Sequence, residues 1–172
     1  KTLTVKDNRN GKQYEFEIKK GSCGPSVADL SSFYQKTGMF VYDPGFKSTA
    51  SCKSEITFID GEKGILLHRG YKIEDLAENS DYTEVCYLLL NGDLPNKQNK
   101  NEFINILTHH TMLHEQILSF YSGFRRDSHP MAVMVGIVGA LSSFYPEKTY
   151  DFSSSRGKWV AVSRLLAKIP TM

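Results

Sequence analysis

Apolar and polar residues alternate at the start of the chain. In "KTLTVKD", Leu3 and Val5 sit between polar neighbours, and in "KQYEFEIKK" Tyr14, Phe16 and Ile18 keep the same period of two. That period places one set of side chains on one face of a strand. Between the two runs lies "NRNG", whose Gly11 can take a positive φ. The pattern predicts a β-hairpin. A short helix is expected over Asp29–Tyr34. A turn follows at Asp43-Pro44-Gly45, where Pro fixes φ and Gly permits the reversal. "EITFID" at 55–60 and "GILLHRG" at 64–70 flank Gly61-Glu62-Lys63 and predict a second hairpin.

After about residue 70 the period lengthens. "IEDLAE" starts a helix with acidic residues near its N-terminus, where the helix dipole favours them. "YTEVCYLLLNG" predicts a helix ending at Gly92, with Pro95 just beyond it. "NKQNKNEFINILTHHTMLHEQILSFYSGF" reads as one long helical pattern with a break near its histidines. "YPEKTYDFSSS" reads as a loop and "RGKWVAVSRLLAKI" as a last helix. The expected fold class is mainly α. A small β-containing region at 1–70 precedes a multi-helical body at 71–172, the first part of a larger helical domain.

One helix stands apart. "SHPMAVMVGIVGALSSFY", Ser128 to Tyr145, has no polar face. Ser128 or His129 can cap it, and Pro130 suits its first turn. The apolar run is about 16 residues, roughly 24 Å at 1.5 Å per residue, short of the roughly 20 residues a membrane span needs. It therefore reads as a helix buried on all sides. Gly136, Gly139 and Ala140 would let another helix come close. A chain of 172 residues has little room to surround such a helix, so part of it is expected to meet another subunit or a further domain.

Composition narrows the partners. With 21 basic and 19 acidic residues the formal net charge is +2, which gives no general pull toward nucleic acid or an anionic membrane. Cys23, Cys52 and Cys86 lie far apart, form no CxxC pair and are odd in number, which fits a reduced cytoplasmic setting with buried, inert thiols. The chain starts at Lys1 with no basic-then-apolar signal segment, and both of its ends read as cut.

Candidate chemistry is sparse. In "THHTMLHEQ", His110 and His114 are four apart and would share a helix face. The metalloprotease pattern needs Glu directly after the first His, and Thr111 stands there. No second group at ligand spacing completes a metal site. The remaining readings are a polar helix terminus or a site for a phosphorylated ligand. Arg164 and Lys168, four apart in the last helix, add weight to the second. "RRDSH" offers either an anion site at a helix N-terminus or an ion pair of Arg126 with Asp127. No phosphate-cradling glycine motif and no GxSxG elbow is present. Residue types and spacing alone assemble no catalytic constellation.

Longer motifs add a resemblance. "YDPGFKSTASCKSEITFIDGEKGILLHRGYKIEDLAE", "EVCYLLLNGDLP", "HHTMLHEQ", "FRRDSHPMAVM" and "LLAKIPTM" occur in the order of the citrate synthase family, and the likeness runs from about residue 12 to the end. The chain resembles the bacterial hexameric, NADH-inhibited type, which carries an extra N-terminal β region. The resemblance implies homodimers built into a homohexamer, with the Ser128 helix packed across the dimer interface. It implies condensation of acetyl-CoA with oxaloacetate and water to citrate and CoA, with no required cofactor. A related reading is 2-methylcitrate formation, and a third is a stand-alone nucleotide-binding helical module. The family's catalytic Asp, histidines and arginines belong to later parts of its chain, so none is assigned here, and His110, His114 and His129 are not promoted to that role. The NADH contacts implied by the motifs are His110, Thr111, Met112, Tyr145, Arg164 and Lys168. The position before His110 is usually Arg in NADH-sensitive members and is His109 here. His lacks the forked donors of Arg.

Overall fold

The structure, a computed structural model, describes residues 1–145 and 152–172. It divides into two compact units, Lys1–Leu94 and Pro95–Met172. The division falls later in the chain than the change from strand to helix at about residue 70.

In the first unit, β1 (Thr2–Lys6) and β2 (Gln13–Lys19) pair antiparallel, with Thr2 opposite Glu17 and Lys6 opposite Gln13. The alternation predicted this hairpin. Its turn is held by Asp7, whose carboxylate accepts from the Arg9 backbone and guanidinium. A short β3 (Val27–Ala28) joins the other edge of β2. Phe16 is buried and tilts against Phe33 at 5.4 Å. The helix expected over 29–34 starts later, as α1 (Phe33–Thr37). The reason is local: the Asp29 carboxylate takes the Ser31 N–H and the Lys19 ammonium, which fixes a turn where the helix was expected to begin.

The Asp43 carboxylate accepts from the backbone N–H of Lys47 and Ser48, closing the Asp-Pro-Gly turn. The second hairpin is also present, as β4 (Thr57–Asp60) and β5 (Ile65–His68), extended by β6 (Tyr71–Lys72). Helix α2 (Ile73–Asn79) follows, then α3 (Tyr82–Asn91). Asp81 and Glu84 form a reciprocal capping box at the start of α3, and Gly92 ends it at φ 98°. Leu76 and Leu88 are buried.

The second unit is helical. It comprises α4 (Lys97–Thr108), α5 (Gln116–Tyr121), α6 (Pro130–Phe144) and α7 (Ser155–Lys168), with a 3-10 turn over Ile169–Thr171. Phe103 of α4 tilts against Trp159 of α7 at 6.1 Å. Ile117, Ile137 and Leu141 form a buried cluster joining α5 to α6, with Leu113, Phe124 and Val133 packed on it. His129 caps α6: its Nδ1 accepts from Met131 N–H at 3.1 Å.

The apolar helix is buried on one side only. Ile137 is fully buried, while Met131 is 61% and Val135 72% exposed. Met131, Val135 and Gly139 fall four apart on one face. No helix among the described residues is long and apolar enough to cross a membrane. Two further expectations change. Cys23 and Cys52 are exposed and Cys86 is half-buried, so none is a fully buried thiol: residue type states a preference for burial that tertiary packing overrides. Asp127 pairs with Arg125 and not Arg126, through Nη2 at 2.8 Å and Nε at 3.0 Å, since the two-residue spacing lets the guanidinium fold back onto the carboxylate.

Candidate functional site

The long helical pattern is broken at the histidines, and the break builds the site. Helix α4 ends at Thr108. Its last turn leaves carbonyls without helical N–H partners. Imidazoles that follow bind back onto the last turn: His109 Nδ1 lies 2.7 Å from Asn105 O, which also accepts from His109 N–H at 3.1 Å, and His110 Nδ1 lies 2.8 Å from Ile106 O, whose helical place the His110 N–H leaves for Leu107 O. A carbonyl only accepts, so each ring carries its proton on Nδ1. When neutral it presents Nε2 as an acceptor.

His110, Thr111, Met112 and His114 therefore stand in a connecting segment between α4 and α5, not on a helix. His110 and His114 do not share a helix face, which corrects that expectation. His114 turns elsewhere: its Nδ1 accepts from Gln116 N–H at 3.2 Å, and its ring stacks on Phe144 at 4.9 Å. No cluster of three or more metal-ligating side chains occurs among the described residues.

The segment is held from α7. Lys168 is only 4% exposed. Its ammonium donates to His110 O at 2.9 Å and also to Met112 O. Thr171 Oγ1 donates to Thr111 O at 2.9 Å. Three consecutive carbonyls of the tripeptide thus accept from two side chains at one corner of the fold. In a continued helix the His110 carbonyl would have accepted from His114 N–H; here Lys168 takes that role.

Tyr145, at the end of α6, completes the neighbourhood. Its ring centroid lies 5.3 Å from Lys168 Nζ and 5.7 Å from Arg164 Cζ. Cations at this distance from an aromatic face are attracted to it. The i, i+4 spacing of Arg164 and Lys168 sets both on one side of α7, as the sequence implied.

Of the six candidate residues, the structure brings together Lys168, Tyr145, Arg164 and the backbone of His110, Thr111 and Met112. The His110 ring turns back onto α4, and the Met112 side chain is 78% exposed. Thr171 was not among the candidates. It lies 60 residues from Thr111, and no local pattern marks a hydroxyl that bonds at such a distance. A separate cavity of about 660 Å³ is lined by Tyr121, Phe124, Arg126, Val133 and Met134, among others, and by none of the six.

Comparison with known proteins locates the chain. Residues 45–172, more than half of it, match the family "Citrate synthase, C-terminal domain". Among solved structures it is similar to the citrate synthase of Pyrobaculum aerophilum, at 28% identity and a TM-score of 0.65, over 99% of this chain and 39% of that one. It is similar to the citrate synthase of Thermotoga maritima at 25% identity and TM-score 0.62, over 76% of this chain and 33% of that one. A likeness in fold extends to the Thermoplasma acidophilum citrate synthase, solved in a ternary complex with carboxymethyl coenzyme A and oxaloacetate. There the identity is 22% and the TM-score 0.62, over 70% of this chain and 31% of that one. The chain spans less than two fifths of the length of each of these structures. The match over 45–172 and the mostly helical fold shared with these enzymes show that the chain belongs to the citrate synthase family.

Proposed function

We propose that the natural protein is a citrate synthase that condenses acetyl-CoA with oxaloacetate and hydrolyses citryl-CoA to citrate and CoA, in the cytoplasm. The observation that carries this reading is the family match over 45–172. In the reaction a carboxylate removes a proton from the acetyl methyl group. The resulting carbon nucleophile adds to the oxaloacetate ketone, and water then cleaves the thioester. No group in residues 1–172 is assigned to these steps, and these residues by themselves are expected to be inactive. The test is thiol release from acetyl-CoA plus oxaloacetate by the complete natural protein. No release would remove the reading. Faster turnover with propionyl-CoA than with acetyl-CoA would replace it with 2-methylcitrate formation.

The same proposal includes the hexameric, NADH-inhibited type. Two features support it. The strands β1 to β3 lie before the family match begins at residue 45. The tripeptide His110-Thr111-Met112 also stands beside Lys168, which shares the Tyr145 ring with Arg164. NADH is then an allosteric inhibitor held by His110, Thr111, Met112, Tyr145, Arg164 and Lys168, and not a cofactor. The exposed face of α6, with Met131, Val135 and Gly139, is the surface that a second subunit covers. Loss of NADH affinity in Arg164→Ala, measured by fluorescence titration of the complete protein, is the expected result.

A further inference from the structure

We infer that Thr171 is a positioning residue of the proposed NADH site, and that with Lys168 it fixes the tripeptide 110–112 in its binding shape. The inference rests on the NADH reading. Its starting point is that three consecutive carbonyls, those of His110, Thr111 and Met112, accept hydrogen bonds from the corner where α7 passes into its 3-10 turn. Lys168 supplies two of these bonds and Thr171 the middle one.

This segment has little else to define it. It lies between the end of α4 and the start of α5 and belongs to neither helix nor strand. Among the described residues, the backbone N–H groups of Thr111 and Met112 have no intrachain hydrogen bond. They remain as donors for an incoming ligand, and their directions depend on which way the adjoining carbonyls are held. A peptide unit is planar, so fixing the carbonyl of Thr111 fixes the N–H of Met112 that shares its plane. The Thr171 hydroxyl therefore sets the direction of a candidate ligand donor without meeting the ligand. Lys168 acts on the units either side, from a buried position where two of its three ammonium donors go to His110 O and Met112 O. Holding the segment before the ligand arrives removes an ordering cost from binding.

The experiment compares Thr171→Val, which keeps the shape and loses the hydroxyl, with Thr171→Ser, which keeps the hydroxyl. NADH is titrated into the complete natural protein, with Arg164→Ala run alongside. The expected result is an affinity loss of roughly three- to tenfold in Thr171→Val, the worth of one net hydrogen bond. Thr171→Ser should restore wild-type affinity, which a general loss of packing at this corner would not produce. Amide exchange across 109–113 without NADH should be faster in the Val variant only. Unchanged affinity in Thr171→Val together with loss in Arg164→Ala overturns the positioning role and leaves the site reading standing. No NADH binding by the wild type, or binding unchanged in Arg164→Ala, removes the site reading and this inference with it.

Discussion

The ammonium of Lys168 donates to the carbonyl of His110, 2.9 Å away in space and 58 residues away in sequence. A charge this deeply buried is tolerated only when its donors are used. Here they meet two backbone carbonyls and the face of Tyr145. Lys168→Met keeps the length of the side chain and removes the donors. It removes two charge-assisted hydrogen bonds, a loss of about 1–3 kcal/mol. The expected outcome is a lower urea midpoint for the natural protein, with exchange at residues 109–113 the first to rise. A midpoint equal to wild type would show that the carbonyls find other partners.

Two glycines of α6 make opposite predictions. A Cβ at Gly136 would lie 2.8 Å from Phe124 Cζ, and that ring is itself held edge-on to Phe120 at 5.4 Å. Gly136→Ala gains about 1 kcal/mol of helix propensity. It meets an overpacking cost of about 1–3 kcal/mol. A net loss of stability is expected in chemical denaturation. At Gly139 a Cβ meets nothing within 4 Å among the described residues. Gly139 is exposed and its Cβ position is open, so splitting of the oligomer by Gly139→Leu on a sizing column, with the fold intact, points to a partner at that face. An unchanged elution volume with the fold intact would count against the proposed interface.

Much of the fold was legible because its signals are local. Both hairpins follow from period-two runs around turn residues, and α3 follows from Asp81 with Glu84 at one end and Gly92 at the other. The site was legible only in part. The i, i+4 pair Arg164 and Lys168 could be placed on one face of α7, but not the partners they meet there. At the end of α4 the His110 imidazole takes the Ile106 carbonyl and Lys168 takes that of His110. That last bond joins residues no periodicity connects. The exposure of Cys23 and Cys52 was missed for the same reason. Residue type states a preference for burial, and only the tertiary packing decides it.

Tyr71 Oη donates to Asp93 Oδ1 at 2.5 Å, tying β6 to the residue after Gly92. That bond, with a second from Leu94 N–H, holds the Asp93 carboxyl below its ordinary value of 3.8. The same bond pushes the Tyr71 phenol above its ordinary 10.0. The signs set a window. The depressed carboxyl contributes stability above pH 3.8, lost as pH falls through its lower folded value. The raised phenol contributes below pH 10.0, lost as pH rises through its higher folded value. Tyr71→Phe should therefore lower the urea midpoint by a constant amount between these limits, with the gap closing outside them. A gap that persists unchanged at pH 3 would assign the effect to packing of the ring.

His109 stands where the proposed NADH site has most to gain. Its Nδ1 is bound to Asn105 O, so the neutral ring offers a phosphate an acceptor at Nε2. An acceptor facing an anion contributes nothing favourable. Arg at this position would bring a permanent charge and several donors in a fixed fork. A charge-assisted hydrogen bond contributes roughly 1.5–3 kcal/mol. His109→Arg is therefore expected to tighten NADH binding by about tenfold or more. The increment should weaken as salt is raised, because the new charge is exposed and screened. His109→Gln, which brings no charge, should not reproduce the gain. Fluorescence titration of the three proteins side by side reads the effect directly. Equal affinities across the set would place residue 109 away from the ligand and leave recognition to Arg164, Tyr145 and the tripeptide backbone.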